Sequence, residues 1–460
     1  MPELPEVETV KNILEPLIVN KTIDHVDVFY DRLVQSDLNE FKEKLKGKTF
    51  LSLSRYGKFL FFHLSDNLVI ISHLRMEGKY RYTKEDNPRI KATSALFHLT
   101  DGSYLAYDDT RKFGLMYLSD EDNYKKVPMI AKLGIEANKI KDSDLLLISK
   151  KLNKKKPIKD LLLDQTILCG IGNIYADEIL YQCKLNPLTK GTDLTEQDIK
   201  NIQKYALITL DKAIKLGGST IHSFHPSEGV DGRFQEKLLA YGRVGETCPN
   251  CGTTFHKIFV SGRGTTFCPN CQINHELEKA IGITGPIGSG KSTILNHLKE
   301  KGYNTYSCDD MVHELYRDPL HKSKISKILH HPFDIDNPAL VKQTREIMIK
   351  DSNIKKQVEN YIYPVLEEKL LQILDKNDKV AIEAPTLFKA HIEYLFKKIL
   401  VIEISEEQQI KNLKNRNDNI KLSKSLNKDY SFINSDKIKI IKATGDFDSL
   451  FEQVDKALID

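Results

Sequence analysis

The chain has 460 residues, 40% of them hydrophobic and 29% charged, with a net charge of +4. That length exceeds one ordinary core and suggests roughly two to four domains. No apolar run reaches the roughly 18 residues of a membrane helix and no leader pattern is present, so a cytoplasmic protein without a membrane role is expected.

Residues 1–277 carry 39 Lys and Arg against 36 Asp and Glu, and the remainder 29 against 28, so neither part is basic overall. Nucleic-acid affinity would have to come from local clusters such as "KKLNKKKPIK" (150–159), although a run of this kind is usually a solvated face. The opening "MPELPEVETV" crowds Glu3, Glu6 and Glu8 behind Pro2 and by itself reads as an acidic chain end or helix start.

Short β-branched and aromatic runs follow: "KFLFFHL", "NLVIISHL", "ALFHLT" and "SYLAYDD". Asp101-Gly102 between the last two predicts a two-residue hairpin turn. From about residue 140 the spacing becomes helical, through "DSDLLLISKKL", "IKDLLLDQT", "NIYADEILYQC" and "TEQDIKNIQKYALITLDKAIKL", the last closed by Gly217-Gly218. From "KAIGITG" onward, apolar strands such as "KVAIEA" and "KILVIEIS" alternate with helices, which predicts a parallel α/β sheet. The segment "NHELEKA" (274–280) is the available linker.

Seven cysteines are present, and Cys248, Cys251, Cys268 and Cys271 form two C-x2-C pairs at zinc-ribbon spacing. Four thiolates close a tetrahedral shell and leave no position for water, so one structural Zn2+ is expected. Arg263 lies at the tip of "VSGRGTTF" between the pairs.

Taken together, "PELPEVE", "RYGKFLFFHL", "SHLRMEGKY", "DDTRKFG", "LLLDQTILCGIGNIYADEIL", "GGSTIHSF", "YGRVGETCPNCG" and "GRGTTFCPNCQ" resemble formamidopyrimidine-DNA glycosylase over residues 1–273. The resemblance implies excision of oxidised purines from duplex DNA and cleavage of the abasic site. It further implies an N-terminal β-sandwich (1–137), a helix-two-turns-helix domain (138–244) and a zinc-ribbon hairpin (245–273). Pro2 matches the nucleophilic amine, freed by removal of Met1, and Glu3 the acid/base residue. Glu6 matches a supporting carboxylate, and Lys58 and Arg263 match phosphate-contacting cations. Met76, Arg111 and Phe113 match the intercalating triad, while Glu77 and the "GGSTIHSF" loop match the lesion pocket. Asn173 and the glycines of "GIGNIY" match a phosphate-gripping turn, assisted by Lys159 and Tyr175. His73 reads equally as an ordinary strand histidine.

The run "GPIGSGKS" (285–292) is G-x-x-x-x-G-K-S between a strand and a helix. Gly285, Gly288, Ser289 and Gly290 would surround phosphate; Lys291 would reach the β/γ-phosphates, and Ser292 with Thr293 would follow at the Mg2+ end. Residues 278–460 resemble dephospho-coenzyme A kinase, which implies ATP, Mg2+ and dephospho-coenzyme A as ligands, Asp309 as catalytic base and Arg416 as a lid cation. Locally, Asp309 also reads as a helix N-cap.

Departures from that second pattern are several: Ser307, His313, Tyr363, Glu383, Lys389 and Asn412 stand where Asp, Arg, His, Asp, an acid and Arg are usual. Fewer lid cations mean less stabilisation of charge in phosphoryl transfer. The whole is expected to be a monomeric fusion of a DNA glycosylase/lyase with a P-loop kinase. The alternatives are an endonuclease VIII-like enzyme for oxidised pyrimidines, a DNA-binding regulator without chemistry, and a C-terminal domain that only binds nucleotide.

Overall fold

The computed structural model describes residues 2–86, 88–219, 233–274, 278–415 and 437–459. It divides into two compact units, Met1–Phe255 with Val260–Gln272, and His256–Phe259 with Ile273–Asp460.

The first unit begins with helix α1 (Leu4–Ile18). Pro5 sits in its first turn, where a missing N–H costs nothing, and Leu4, Val7, Val10, Leu14 and Ile18 line its buried face at helical spacing. Strand β1 (Ile23–Val28), helix α2 (Leu38–Leu45) and strands β2 (Phe50–Tyr56), β3 (Phe59–Leu64), β4 (Leu68–His73), β5 (Lys79–Thr83), β6 (Thr93–Leu99), β7 (Tyr104–Asp108) and β8 (Leu115–Asp120) follow. They form two antiparallel sheets, ordered β1-β6-β7-β5 and β2-β3-β4-β8.

Leu60, Phe62 and Leu64 meet Phe97, Leu105 and Tyr107 of the other sheet in one core. The alternate residues Phe59 and Phe61 pack under Tyr124, Val127 and Ile130, the last in helix α3 (Pro128–Ala131). Burial of both faces explains why "FLFF" (59–62) is continuously apolar rather than alternating.

The Asp101-Gly102 signal marks a hairpin between β6 and β7, but not of the expected length. Gly102 N–H donates to Leu99 O, Leu99 N–H donates to Ser103 O, and only Gly102 has positive φ (83°). A two-residue turn of the Asp-Gly kind needs positive φ at both positions, so the loop is instead the three residues Thr100–Gly102.

Strand β9 (Ile135–Glu136) pairs in parallel with β10 (Leu168–Cys169). Around them lie helices α4 (Leu145–Leu152), α5 (Ile158–Leu163), α6 (Asn173–Cys183) and α7 (Glu196–Lys215). Leu152, Leu161, Tyr175, Ile179, Ile202 and Leu210 form their common core. Thr195 caps α7 by accepting from Asp198 N–H, and Gly217 and Gly218 end it with positive φ. Strands β11 (His256–Val260) and β12 (Arg263–Phe267) form a two-stranded ribbon.

The second unit contains a parallel sheet of β13 (Ala280–Thr284), β14 (Asn304–Ser307), β15 (Val380–Glu383), β16 (Phe396–Ile404) and β17 (Ile438–Ala443), ordered β14-β15-β13-β16-β17. Helix α8 (Lys291–Glu300) crosses from β13 to β14, and α9 (Cys308–Arg317), α10 (Pro319–Leu329), α11 (Pro338–Lys350) and α12 (Ser352–Lys376) lie between β14 and β15 in the chain. Helices α13 (Glu406–Asn415) and α14 (Phe447–Ile459) follow β16 and β17. No helix among the described residues is long and apolar enough to cross a membrane.

Candidate active sites

Pro2 and Glu3 are buried at the start of α1, against the start of α6. The Glu3 carboxylate accepts from the N–H groups of Gly172 (2.6 Å), Ile174 (2.9 Å) and Tyr175 (3.3 Å). Those amides open α6, so the anion held at this positive helix end is a side chain 169 residues earlier in the chain. Gly172 is required by proximity: a Cβ there would lie 2.3 Å from Glu3 Cδ. Of the amides at the "GIGNIY" turn, those of Gly172, Ile174 and Tyr175 are taken by Glu3, and that of Asn173 is not among them.

Glu6 is as buried as Glu3 and accepts from Glu3 N–H (2.9 Å), Ser219 N–H (2.7 Å) and Tyr175 Oη–H (2.6 Å). Burial and the neighbouring Glu3 charge hold its carboxyl above the ordinary range. Tyr175 is wholly buried and points inward to Glu6. Lys159 is equally buried, with its ammonium bonded to Asp177 and to Asn173 O (3.1 Å). Neither side chain reaches solvent, so the assistance expected of them is not a direct phosphate contact in this structure. Residues 220–224 of the "GGSTIHSF" loop lie outside the described residues.

Lys58 is buried at the β2–β3 turn, and its ammonium has no hydrogen-bond partner among the described residues. Burial lowers its pKa, and the Glu3 and Glu6 charges oppose that effect. The turn is gripped on both sides: Arg55 donates to Gly57 O (2.9 Å), Gly57 N–H donates to Glu136 Oε1 (2.9 Å), and Arg55 also pairs with Glu136 and with Glu8 (2.6 Å). His73 ends β4 with Nδ1 accepting from Arg75 N–H (3.0 Å). Burial, the largest cause, with Arg75 and Lys58 nearby, drops its pKa to about 3, so it is a satisfied neutral histidine.

Met76, Arg111 and Phe113 lie on two loops tied by a bond from Thr110 Oγ1 to Glu77. Met76 is half-buried; Phe113 is 54% exposed, an unusual position for a large apolar side chain, with the Arg111 guanidinium 4.9 Å from its ring centroid. The buried Asp109 carboxylate shapes that loop by accepting from the N–H groups of Arg111 (3.0 Å), Phe113 (2.9 Å) and Gly114 (2.7 Å).

Arg263 is exposed where β12 leaves the Ser261-Gly262 turn, whose two residues both have positive φ (48° and 75°). Asn173 Nδ2 donates to Gly264 O (2.9 Å), and Thr266 N–H donates to Asp177 Oδ2 (2.9 Å). Glu178 accepts from Leu239, Ala240 and Tyr241 N–H, each at 2.8 Å. Sequence reasoning missed Asp177, Glu178, Glu136 and Asp109; their only trace there is an acidic side chain inside an apolar run. The ribbon sulfurs lie within 4.8 Å of one another, with Cys248–Cys271 at 3.8 Å and Cys251–Cys268 at 3.5 Å. Tetrahedral Zn2+ with bonds of about 2.3 Å requires sulfurs about 3.8 Å apart, so the four cysteines fit that ion.

In the second unit the loop Gly285–Gly290 joins β13 to α8. Gly290 caps α8 at φ 94°, and Lys291, Ser292 and Thr293 form its first turn. Lys291 Nζ donates to Pro286 O (3.0 Å) and lies 4.0 Å from Glu383, which also accepts from Ser292 Oγ (3.3 Å). Burial raises the Glu383 pKa while Lys291 opposes it. Asp309 is exposed in the first turn of α9; the N-cap is Ser307, which accepts from Asp310 N–H, so Asp309 is not the cap. Gln409 and Asn412 of α13 donate to Ile287 O (2.7 Å) and Gly288 O (2.8 Å), which gives Asn412 a neutral role on the loop. Arg416 lies outside the described residues.

Residues 1–116 match the formamidopyrimidine-DNA glycosylase N-terminal domain, 133–225 its H2TH domain, and 245–273 the zinc finger found in FPG and IleRS. Residues 279–430 match dephospho-CoA kinase. The formamidopyrimidine-DNA glycosylase of Lactobacillus delbrueckii is 49% identical over 273 residues, 59% of this chain and 99% of that protein. The Halalkalibacterium halodurans protein of the same name is 44% identical over 274 residues, 59% of this chain and the whole of that protein. Among solved structures, a Lactococcus lactis FPG mutant with Fapy-dG-containing DNA aligns at 42% identity and TM-score 0.57, covering 59% of this chain and all of that one. The wild-type Lactococcus lactis enzyme with oxidised-pyrimidine DNA aligns at 42% identity and TM-score 0.56, with the same coverage.

Proposed function

Because the chain belongs, through residues 1–273, to the formamidopyrimidine-DNA glycosylase family and carries a dephospho-CoA kinase domain, we propose that it is a two-enzyme fusion. The first enzyme excises oxidised purines from duplex DNA and cleaves the abasic site; the second phosphorylates the ribose 3′-hydroxyl of dephospho-coenzyme A. The domains would be 1–137, a β-sandwich built of the two sheets; 138–244; 245–273; and 278–460, a P-loop kinase. The protein would act in the cytoplasm as a monomer. The observation that carries the reading is the junction of α1 with α6, which sets Glu3 beside Pro2 on three fixed amides.

Freed of Met1, Pro2 offers a secondary amine whose ordinary pKa is far nearer neutrality than a lysine's. Its lone pair attacks C1′, the glycosidic bond breaks and the bonding pair leaves with the base. The proton of the attacking amine passes to the Glu3 carboxylate, which delivers it to the sugar oxygen as the ring opens, so that an iminium results and the departing base takes its proton from water. Loss of a C2′ proton to water sends its bonding pair into that electron sink and the enamine so formed expels the 3′ phosphate; loss of a C4′ proton to water then expels the 5′ phosphate. Water then hydrolyses the iminium and frees Pro2.

Extruding a base leaves a gap in the duplex. Met76 and Phe113 would fill it as apolar wedges, and Arg111 would bond the orphaned cytosine. Lys58, Arg263 and Asn173 would hold the phosphates beside the lesion. Glu6, Tyr175 and Lys159 would position Glu3 and Asn173 from the interior. In the kinase, the loop Gly285–Gly290 with Thr293 and Arg416 would bind ATP and Lys291 would hold its β/γ-phosphates. Ser292 and Glu383 would hold Mg2+, which neutralises phosphate charge when bound, and Asp309 would accept the hydroxyl proton.

The Lactococcus lactis enzyme has been solved with oxidised-pyrimidine DNA as well as Fapy-dG DNA, which favours a second reading in which this chain also acts on oxidised pyrimidines. Borohydride trapping on duplexes carrying 8-oxoguanine or thymine glycol tests both, with Pro2 expected in the trapped bond. ATP-dependent conversion of dephospho-coenzyme A, lost in Lys291→Ala and Asp309→Asn, tests the kinase. Trapped DNA without coenzyme A would reduce the second half to nucleotide binding.

A further inference from the structure

The solvent face of β1 carries a group of side chains that neither proposed activity uses. In "IDHVDV" an unbroken strand alternation would turn His25 inward with Ile23. The register shifts between Ile23, which pairs with Leu99, and His25, which pairs with His98. Asp24 is the extra residue of that bulge, so Ile23 and Val26 stay buried while Asp24, His25 and Asp27 all face outward. His98 faces outward between the buried Phe97 and Leu99.

The His25 and His98 rings stack at 3.8 Å with 19° between their planes. Tyr104 closes edge-on against His98 at 5.2 Å. His25 Nδ1 lies 2.8 Å from Asp24 Oδ2, and His98 Nε2 lies 3.0 Å from Asp27 Oδ2. One donor atom each from His25, Asp27 and His98 fall within 4.8 Å of one another.

We propose that His25, Asp27 and His98 form a second metal site, for one divalent transition ion of the zinc type. Two nitrogens and one carboxylate oxygen are the donor set of Zn2+, Ni2+ or Cu2+, whereas Mg2+ and Ca2+ prefer oxygen throughout. Ligands of a tetrahedral ion with bonds of about 2.0–2.1 Å stand roughly 3.3 Å apart. The His98–Asp27 pair is already near that separation, so an ion can replace the proton between them, while the His25 ring, stacked at 19° on His98, must swing out of that stack to turn its nitrogen onto the same ion. Asp24 accepts from Nδ1 of His25 and so leaves its Nε2 lone pair free for the ion, the arrangement by which an outer carboxylate orients a ligating histidine. The remaining positions fall to water, which makes this ion more exchangeable than the one expected between four thiolates. Because β1 lies at the edge of its sheet beside β6, the ion would staple it to its neighbour.

The test uses the full chain carrying one Zn2+ per molecule. It is dialysed against micromolar Zn2+, and bound metal is counted by elemental analysis while circular dichroism monitors folding. Two ions per chain are expected for the wild type and one for His25→Gln and for His98→Gln. Asp24→Asn should keep two but bind the second about tenfold more weakly. Zinc should also raise the thermal midpoint of the wild type and not of His98→Gln. A wild type that retains one ion, or histidine variants that hold as many ions as it does, would overturn the site.

Discussion

Asp109→Ala isolates the loop that presents Arg111 and Phe113. Its carboxylate accepts three backbone N–H groups, and the side chain is 1% exposed. Water can satisfy the amides of the exposed Arg111 and Phe113, at about 0.5–1.5 kcal/mol lost for each. Gly114 is buried, so its amide is left without a partner at about 1–3 kcal/mol. Roughly 2–6 kcal/mol of loop order is therefore at stake, and the lower end of that range already shifts the loop's order–disorder equilibrium about 30-fold. Single-turnover excision of 8-oxoguanine from a duplex should fall about 100-fold. Trapping on an abasic site in a single strand, where no base is extruded, should fall little. Asp109→Asn keeps one acceptor oxygen and should lie between the two. An alanine variant that excises at the wild-type rate, or one that fails equally on both substrates and melts early, would refute the argument.

Glu178→Ala removes the acceptor of three amides ahead of the zinc ribbon, at about 3 kcal/mol or more, and should speed zinc release to a colorimetric chelator and weaken DNA binding. His73 is neutral in the fold, with a pKa of about 3 against an ordinary 6.5, so the unfolded chain binds the extra proton between those values. Its contribution is complete above pH 6.5 and is lost as pH falls toward 3, on the order of 5 kcal/mol at most. Urea unfolding of the first unit as a function of pH should show a shallower acid limb in His73→Gln, and an unchanged slope would remove the histidine from the account. The Tyr107 hydroxyl is buried without a partner among the described residues, so Tyr107→Phe should raise the thermal midpoint of that unit by the equivalent of about 1 kcal/mol. A fall would mean that the hydroxyl is satisfied in solution.

Local chemistry was open to reading from the sequence alone. Two C-x2-C pairs, a G-x-x-x-x-G-K-S turn and "TEQDIKNIQKYALITLDKAIKL" carry their own geometry, because chelation, phosphate cradling and helical periodicity act within a few residues or at fixed spacing. Even short turns were partly legible: Asp101-Gly102 announced a hairpin but not its three-residue loop, which the strand register decides. The residues that serve the site from beneath were not legible. Lys159 and Tyr175 resemble surface binders in the chain, yet folding buries both. Glu136 grips the Gly57 turn from 79 residues away, and Glu3 meets α6 across 169. A buried carboxylate must find donors wherever packing places them, and which amides those are is settled only when the elements close on one another. The sequence by itself determined the two family resemblances and the zinc shell; the tertiary structure decided that the acid at residue 3 takes the positive end of α6, because only folding brings the two chain segments together.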